Sequence, residues 1–405
     1  INQHSWMFLS SYEKLRTRII DTQSIQSLLH LGPHAFDEIG GEVVQSVTFV
    51  LRNQHLENYK SEFHRLIDGD NSAAKELMFL GGQHRYIQKG DNFRSIPGSP
   101  TAYWIGDALV RAFIENQSVE DFFICKKGMD TGNNDRFLRL WFEIAGPKLS
   151  VGDFLGDKWF PYNKGGSFRR WYGNNEYVVD WENGGKEIRS FLRSNLRNEK
   201  YYLQEGLTWS TVSTSKISFR QYPEGFLFDN GGSCIFGDTE NMLKVLAFLN
   251  SKVTQVFVEI INPTMNYQPG SVGKIPLNID LLECTRLGLY AQEGVQKSKN
   301  DWDSFETSWD FQRHPLLVHK DGGSIEQAFN NWADFAEEQF QQLKVNEEEL
   351  NRIFIEIYGL EDELTPEVED EDITIRRADR ERDVRSFISY AVGCMFGRYS
   401  LDEEG

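Results

Sequence analysis

Along the first fifty residues the apolar positions change period twice. The run Trp6-Met7-Phe8-Leu9 predicts a short strand, and Ser10 or Ser11 then stands as a cap before a helix carrying Leu15, Ile19 and Ile20. IQSLLHL (25–31) and VVQSVTFVL (43–51) read as two further strands, the second rich in β-branched residues, with Gly40-Gly41 breaking the chain ahead of it. Residues 1–53 therefore read as β-α-β-β, half of an α/β sheet whose other half is expected to precede Ile1.

Residues 54–120 read as a helical connector. A polar helical stretch runs from Tyr59 to about Leu80, a Pro/Gly loop occupies 95–100, and an amphipathic helix places Ile105, Leu109 and Phe113 at i, i+4 and i+8. Residues 121–280 read as short strands separated by Gly/Asn turns, with a helix over 241–250 capped by Asp238 or Thr239. The Pro/Gly-rich run NPTMNYQPGSVGKIPL (262–277) closes this region. Residues 281–405 are acidic and helical. Ser324-x-x-Gln327 and Asn346-x-x-Glu349 sit at capping-box spacing, and Val384, Phe387, Ile388, Ala391 and Met395 stripe one face of the last helix. The segment EDELTPEVEDED (361–372) reads as a solvated acidic loop.

Composition narrows the class. A chain of 405 residues, 40% hydrophobic and 26% charged, is expected to fold as two or three soluble domains. No apolar run is long enough to predict a membrane helix, and the opening INQHSWMFLSSYEKLR has neither the basic start nor the apolar core of a signal peptide. The chain does not begin with Met and opens directly on an expected strand, as an excised or incomplete chain does. Cys125, Cys234, Cys284 and Cys394 are widely spaced, which predicts neither a metal site nor a disulfide framework and fits a reducing, cytoplasmic setting. The net charge of −18 argues against general affinity for a polyanion. Between Asp121 and Arg220, however, 16 Lys and Arg face 12 Asp and Glu, so one net-basic region (+4) is set in a chain whose remainder carries −22.

The densest chemistry lies within that region, in KWFPYNKGGSFRRWYGNNEYVVDWENGG (158–185). Aromatic rings interleave there with Lys158, Lys164, Arg169 and Arg170. Rings that stack, guanidinium forks that fit phosphates or guanine edges, and glycines that admit close backbone approach suit a nucleic-acid surface. The same composition also suits a packed β-rich module whose cationic stems lie over aromatic faces.

Enzymatic signatures are sparse. Gly-x-Gly occurs nowhere, so neither a dinucleotide fingerprint nor a glycine-rich S-adenosylmethionine loop is present. Asn262-Pro263-Thr264-Met265 lacks the aromatic residue that ends the Asn-Pro-Pro-aromatic tetrapeptide of amino-methyltransferases, where the ring stacks on a flipped base. No Asp/Glu-x-Lys pair is present, and Gly32-Pro33 between His30 and His34 prevents the helix that would bring both rings to one metal. These residues assemble no catalytic or metal site.

Several segments, in order, resemble the carboxy-terminal part of the adenine-specific DNA methyltransferases of BREX phage-defence systems, the PglX family, relatives of type IIG and IIL restriction-modification enzymes. They include SWMFLSSYEKLR (5–16), LLHLGPHAFDEIGGEVVQSVTFVLRN (28–53), GMDTGNNDRFLRLWFE (128–143), the 158–185 stretch, EGLTWS (205–210), NPTMNYQPGSVGKIPL and the final LNRIFIEIYGLEDEL…LDEEG. The resemblance implies an α/β plus α+β chain: the end of a Rossmann-like methyltransferase sheet (1–53), a connector (54–120), a mixed, β-rich target-recognition domain (121–280) and an acidic helical region (281–405). The donor loop and catalytic tetrapeptide of the family have no matching positions here. Methyl transfer from S-adenosylmethionine to adenine N6 is thus expected of the parent enzyme, with no catalytic or cofactor-binding residue in this chain.

The expected partner is double-stranded DNA. On this reading Arg169, Arg170, Asn174 and Asn175 read base edges, Lys158 and Lys164 hold phosphates, and Trp171 and Tyr172 support the reading loop or stack on a displaced base. Replacing Arg169 and Arg170 by Ala would then weaken DNA binding without unfolding the chain. Against this stands a structural reading in which the tryptophans anchor a core and Asn174-Asn175 merely turn the chain. A second functional reading makes the chain a scaffold that docks other proteins of the defence system.

Overall fold

A computed structural model describes residues 2–38, 44–152, 156–213, 216–262 and 266–400. The expected break at Gly40-Gly41, the start of the 43–51 strand, and Pro263-Thr264-Met265 lie outside the described residues.

The first unit is a five-stranded sheet of β1 (Asn2–Gln3), β2 (Ser24–Gly32), β3 (Ser46–Arg52), β4 (Lys60–Arg65) and β5 (Arg85–Lys89), in the order β1-β3-β2-β4-β5. β2 and β4 run parallel, and all other neighbours are antiparallel. Helix α1 (Glu13–Thr22) contributes buried Ile19 and Ile20 to the core of this sheet.

Three expectations change here. Residues Trp6 to Leu9 do not form a strand; His4–Met7 is a 3-10 turn, which turns three consecutive apolar residues, Trp6, Met7 and Phe8, inward where strand alternation would expose one. Ser10 and Ser11 belong to a second such turn and do not cap α1. The sheet also continues past residue 53. Within the expected polar helix, Lys60–Arg65 buries Ser61 and Phe63 alternately and pairs on both sides, and only Ser72–Leu80 (α2, capped by Asn71) is helical.

After α3 (Asp107–Glu115) the chain builds short strands: β6 (Gln117–Ser118), β7 (Ile124–Lys126), β8 (Leu138–Leu140), β9 (Trp159–Asn163), β10 (Tyr177–Asp180), β11 (Gly206–Ser210), β12 (Phe219–Tyr222), β13 (Leu227–Phe228), β14 (Gly232–Phe236) and β15 (Pro276–Leu277). They form two four-stranded sheets, ordered β13-β9-β10-β8 and β12-β11-β14-β7, and a β15-β6 pair. Besides four-residue helices at Val119–Phe122, Asn134–Phe137 and Pro269–Val272, this part holds α4 (Glu182–Ser190, with left-handed Asn183, Gly184 and Gly185 at its start), α5 (Thr239–Leu249) and α6 (Lys252–Ile261). Asp238 caps α5 as expected, its carboxylate accepting from the Asn241 N–H.

The last part holds α7 (Thr285–Asp303), α8 (Ile325–Tyr358) and α9 (Arg380–Met395). Ser324 caps α8. Asn346-x-x-Glu349 does not start a helix: α8 runs through it unbroken, and buried Asn346 accepts a bond from Gln342 one turn earlier. On α9, Phe387 packs inward, whereas Ile388 and Met395 are 59% and 83% exposed, so the apolar stripe is not one buried face. Most of the acidic 361–372 segment is exposed, as expected of a solvated loop, but its end is tied down. Asp372 pairs with Lys216, Asp370 pairs with Lys344 and Arg377, and Val368 is buried.

The main core is shared. One cluster of buried side chains joins Leu109 and Ala112 of α3, Trp209 of β11, Phe248 of α5, Phe257 of α6, Leu287 of α7 and Phe354 of α8. Residues from the expected connector, recognition region and helical tail thus pack into one body. Among the described residues no helix is long and apolar enough to cross a membrane.

Candidate nucleic-acid interface

The 158–185 stretch leaves β9, turns through Gly165-Gly166, and crosses under the helices before re-entering the sheet as β10. The crossing segment is Arg169-Arg170-Trp171-Tyr172. Trp171 exchanges backbone bonds with β12, its N–H donating to Phe219 O at 2.9 Å and its carbonyl accepting from Gln221 N at 2.8 Å. Two glycines permit this route. Gly173 has φ +121°, and a Cβ there would sit 2.4 Å from Arg169 Nε; a Cβ at Gly294 of α7 would sit 2.8 Å from the Trp171 ring.

Arg169 and Arg170 are inside the protein, 7% and 4% exposed, which corrects the expectation that they face a duplex. Arg169 donates from a terminal nitrogen to Asp301 Oδ2 at 2.6 Å and from Nε to Tyr172 O at 2.8 Å, with its guanidinium 5.0 Å from the Trp302 ring. Arg170 pairs with Glu347 of α8, whose other carboxylate oxygen accepts from Trp171 Nε1 at 2.7 Å. Asp301 is further held by Arg376, and Arg220 donates to the Arg169 carbonyl at 3.2 Å. Burial works against the charged forms of Glu347, Arg376 and Arg220. It raises the Glu347 carboxyl, opposed by Arg170, and pushes Arg376 down to about 10, opposed by Asp301. It also lowers Arg220 to about 10, with the Arg169 charge acting in the same direction.

Trp171 and Tyr172 are likewise buried, 1% and 6% exposed. Trp171 holds φ +71°, a conformation that costs a bulky residue about 1–3 kcal/mol unless its surroundings impose it. Its indole bond to Glu347 and its two backbone bonds do so. Lys299 lies over the Tyr172 ring at 5.2 Å, and burial pushes the phenol up to about 12. Asn175 is buried, and Asn174 (φ +61°) is a turn residue whose amide donates to Ser167 O at 2.9 Å. Arg169, Arg170, Trp171, Tyr172 and Asn175 cannot reach a duplex in this conformation, and the first four fasten the stretch to α7 and α8.

The two lysines lie apart from that cluster and nearer the surface. Lys158 Nζ is 2.7 Å from Glu182 and 3.4 Å from Asp180, and these partners raise its pKa, Glu182 most. Lys164 lies 4.4 Å from the Tyr177 ring centroid. Sequence reading missed the partners, Asp301, Glu347 and Arg376. It also passed over five cations at intervals of three or four residues, Lys186, Arg189, Arg193, Arg197 and Lys200, a spacing that was available as a signal.

The residues lining the open hollow beside α1 do not fit a methyl donor. A hollow of about 760 Å³ among the described residues, it is lined by Ser10, Ser11, Glu13, Lys14, Thr17, Arg18, Asp21 and Thr22. It offers no ring to stack on an adenine and no glycine-rich turn.

No family model matches the chain. Over its full length it is 42% identical to the adenine-specific methyltransferase PglX of Lacticaseibacillus casei strain Zhang, of which it covers 35%. It is 38% identical to the adenine-specific methyltransferase BrxX of Escherichia coli O9:H4 strain HS, covering 34%. The chain thus spans about a third of the length of these curated relatives. Among solved structures, the type IIL restriction-modification enzyme MmeI in complex with DNA aligns at a TM-score of 0.43 and 9% identity, over 90% of this chain and 47% of that one. The type IIG restriction endonuclease BpuSI aligns at 0.25 and 9%, over 85% and 47%. At these scores neither structural likeness carries an argument about function.

Proposed function

Because the chain belongs to the PglX family of BREX adenine-specific DNA methyltransferases, we propose that it is the DNA-recognition portion of such an enzyme, drawn from its carboxy-terminal part. The observation that carries this reading is the end-to-end match to two adenine-specific methyltransferases. The parent enzyme marks host DNA at adenine N6 in a defined sequence, using S-adenosylmethionine held by segments outside these 405 residues. The five-stranded sheet is then the end of the methyltransferase sheet. Its parallel β2–β4 pair beside an antiparallel β3 supports that reading. The two small sheets over 124–236 form the recognition domain, and the helical region braces it through Asp301 and Glu347.

Binding of the 405-residue chain to duplex DNA tests the proposal. Fluorescence anisotropy should show an affinity that falls steeply between 50 and 200 mM salt, as counterion release requires. No binding at low salt, alongside stable capture of other defence-system proteins, would overturn it in favour of the scaffold reading.

A further inference from the structure

The cations that the 158–185 stretch turns inward have an outward counterpart. Residues 186–200 hold Lys186, Arg189, Arg193, Arg197 and Lys200 against only Glu187 and Glu199. Both carboxylates are already committed, Glu187 to Arg136 and Glu199 to Arg189. Lys186 and Arg193 are exposed and make no ion pair or hydrogen bond among the described residues, and Lys200 has only the Tyr201 ring at 4.8 Å. Between them Leu192 is 99% exposed. Residues 186–200 thus carry +3, and with Asp130, Asp135 and Arg136 of the 130–136 turn this surface ledge keeps a net charge of +2 in a chain of net charge −18.

The ledge is rigidly mounted. Asp130 and Asn195 exchange two backbone bonds at 2.9 and 2.8 Å, joining it to the 130–136 turn. Gly132, with φ +69°, passes so close that a Cβ there would meet the Arg193 carbonyl carbon at 2.5 Å. Ser194 Oγ donates to Ile188 O at 2.6 Å, and Asn198 Nδ2 donates to Lys127 O at 2.8 Å. On the adjoining turn, exposed Asn133 and Asn134 each spend the carbonyl oxygen inside the fold, accepting from Arg136 N and Thr131 Oγ1. Their side-chain amide N–H groups have no hydrogen-bond partner among the described residues. A surface already ordered loses little conformational entropy on binding.

We propose that this ledge, residues 186–200 with the 130–136 turn, is the face that meets DNA. The inference rests on the recognition reading above and assigns its contact surface. Lys186 and Lys200 bind phosphates, which position the protein. Arg193 and the Asn133 and Asn134 amides reach base edges, the guanidinium suiting guanine O6 and N7. Leu192, at the tip, meets a thymine methyl or the face of an unstacked base.

The test compares the wild-type chain with a Lys186→Ala/Arg193→Ala/Lys200→Ala variant by anisotropy on a mixed-sequence duplex, from 50 to 200 mM salt. The variant should bind at least about tenfold more weakly, with a log–log salt slope shallower by about 2, near 0.9 for each of the two lost phosphate contacts. A Lys14→Ala/Arg18→Ala control on α1 should bind like wild type. Should the triple variant fail to fold by circular dichroism, Arg193→Ala alone carries the test, since that side chain has no ion pair, hydrogen bond or ring contact to lose among the described residues. Wild-type affinity and slope in the variant would overturn the assignment and leave the recognition reading standing. A wild-type chain that does not bind would overturn the recognition reading itself.

Discussion

Two arginine-bearing segments lie within thirty residues of each other and meet opposite fates. Arg169 and Arg170 are buried against Asp301 and Glu347, whereas Arg193 stands exposed with no ion pair or hydrogen bond among the described residues. Residue type does not separate them. What separates them is whether a carboxylate from the helical region arrives to neutralise the charge, since a buried guanidinium without one is too costly to keep. The segment richest in rings and cations is therefore a fastening, and the segment with fewer rings and unspent charge is the candidate for a polyanion.

The largest effect should come from breaking the fastening. Glu347→Ala leaves Arg170 buried without its partner and Trp171 without its indole acceptor, and should destabilise the chain by about 3–5 kcal/mol. Denaturant unfolding measures this. A loss below about 1 kcal/mol would mean that Arg170 can reach water, and the comparison would fail. Arg169→Ala with Arg170→Ala should likewise destabilise the fold, reversing the outcome expected from sequence. Raising the salt concentration should leave this buried contribution nearly unchanged while weakening any binding through the exposed ledge.

A smaller loss should follow from Gly294→Ala, whose methyl would press on the Trp171 ring; overpacking of this kind costs about 1–3 kcal/mol. Stability unchanged in thermal melts would show that Trp171 has room to shift, which its 1% exposure and positive φ argue against.

How much of this could be read along the chain follows from the range of each contact. The α5 helix and its Asp238 cap are local, as are most of β2 and β3, and all were legible. Arg169 and Asp301 are 132 residues apart, and Arg170 and Glu347 are 177 apart, so no local pattern reports those pairs. Divisions drawn at 120 and 280 follow changes in composition, yet α3, β11, α5 and α8 share one core. Trp6 to Phe8 was misread for a different reason: a run of consecutive apolar residues fits a strand or a turn equally until the core they enter is known. The cations of 186–200 were visible as a pattern, but without rings among most of them they drew less weight than the stretch just before.

Acid sharpens the contrast by reaching a third kind of buried group, one held neutral. His30 lies between His4 Nδ1 at 2.9 Å and the Tyr103 hydroxyl at 3.0 Å. Burial, then the charges of His4, Arg65 and Lys75, push it down to about 3. The unfolded chain takes up this proton near pH 6.5 and the folded one does not. The His30 contribution is thus fully present above pH 6.5 and is lost as pH falls toward 3, by at most about 1.4 kcal/mol per unit. Unfolding free energies from pH 7 to 5 should fall with that sign, and His30→Gln should flatten the slope. An unflattened slope would place the acid sensitivity elsewhere, His314 being the next buried candidate, lowered to about 4 by burial.

The smallest effect is the most discriminating, because it concerns a residue lying between the two cases. Lys158 belongs to the aromatic stretch yet sits near the surface, and Glu182 and Asp180 already neutralise it. Partly exposed pairs of this kind contribute up to about 1 kcal/mol, so Lys158→Ala should barely move the denaturation midpoint. Its charge is spent twice over, so removing it should change duplex affinity by less than about threefold, against the larger loss expected at Lys186. If unspent charge decides which cations meet DNA, Lys158→Ala and Lys186→Ala will separate in affinity while matching in stability. If they lose affinity equally, the aromatic stretch still touches the duplex at its edge, and the contact surface extends from the ledge toward β9.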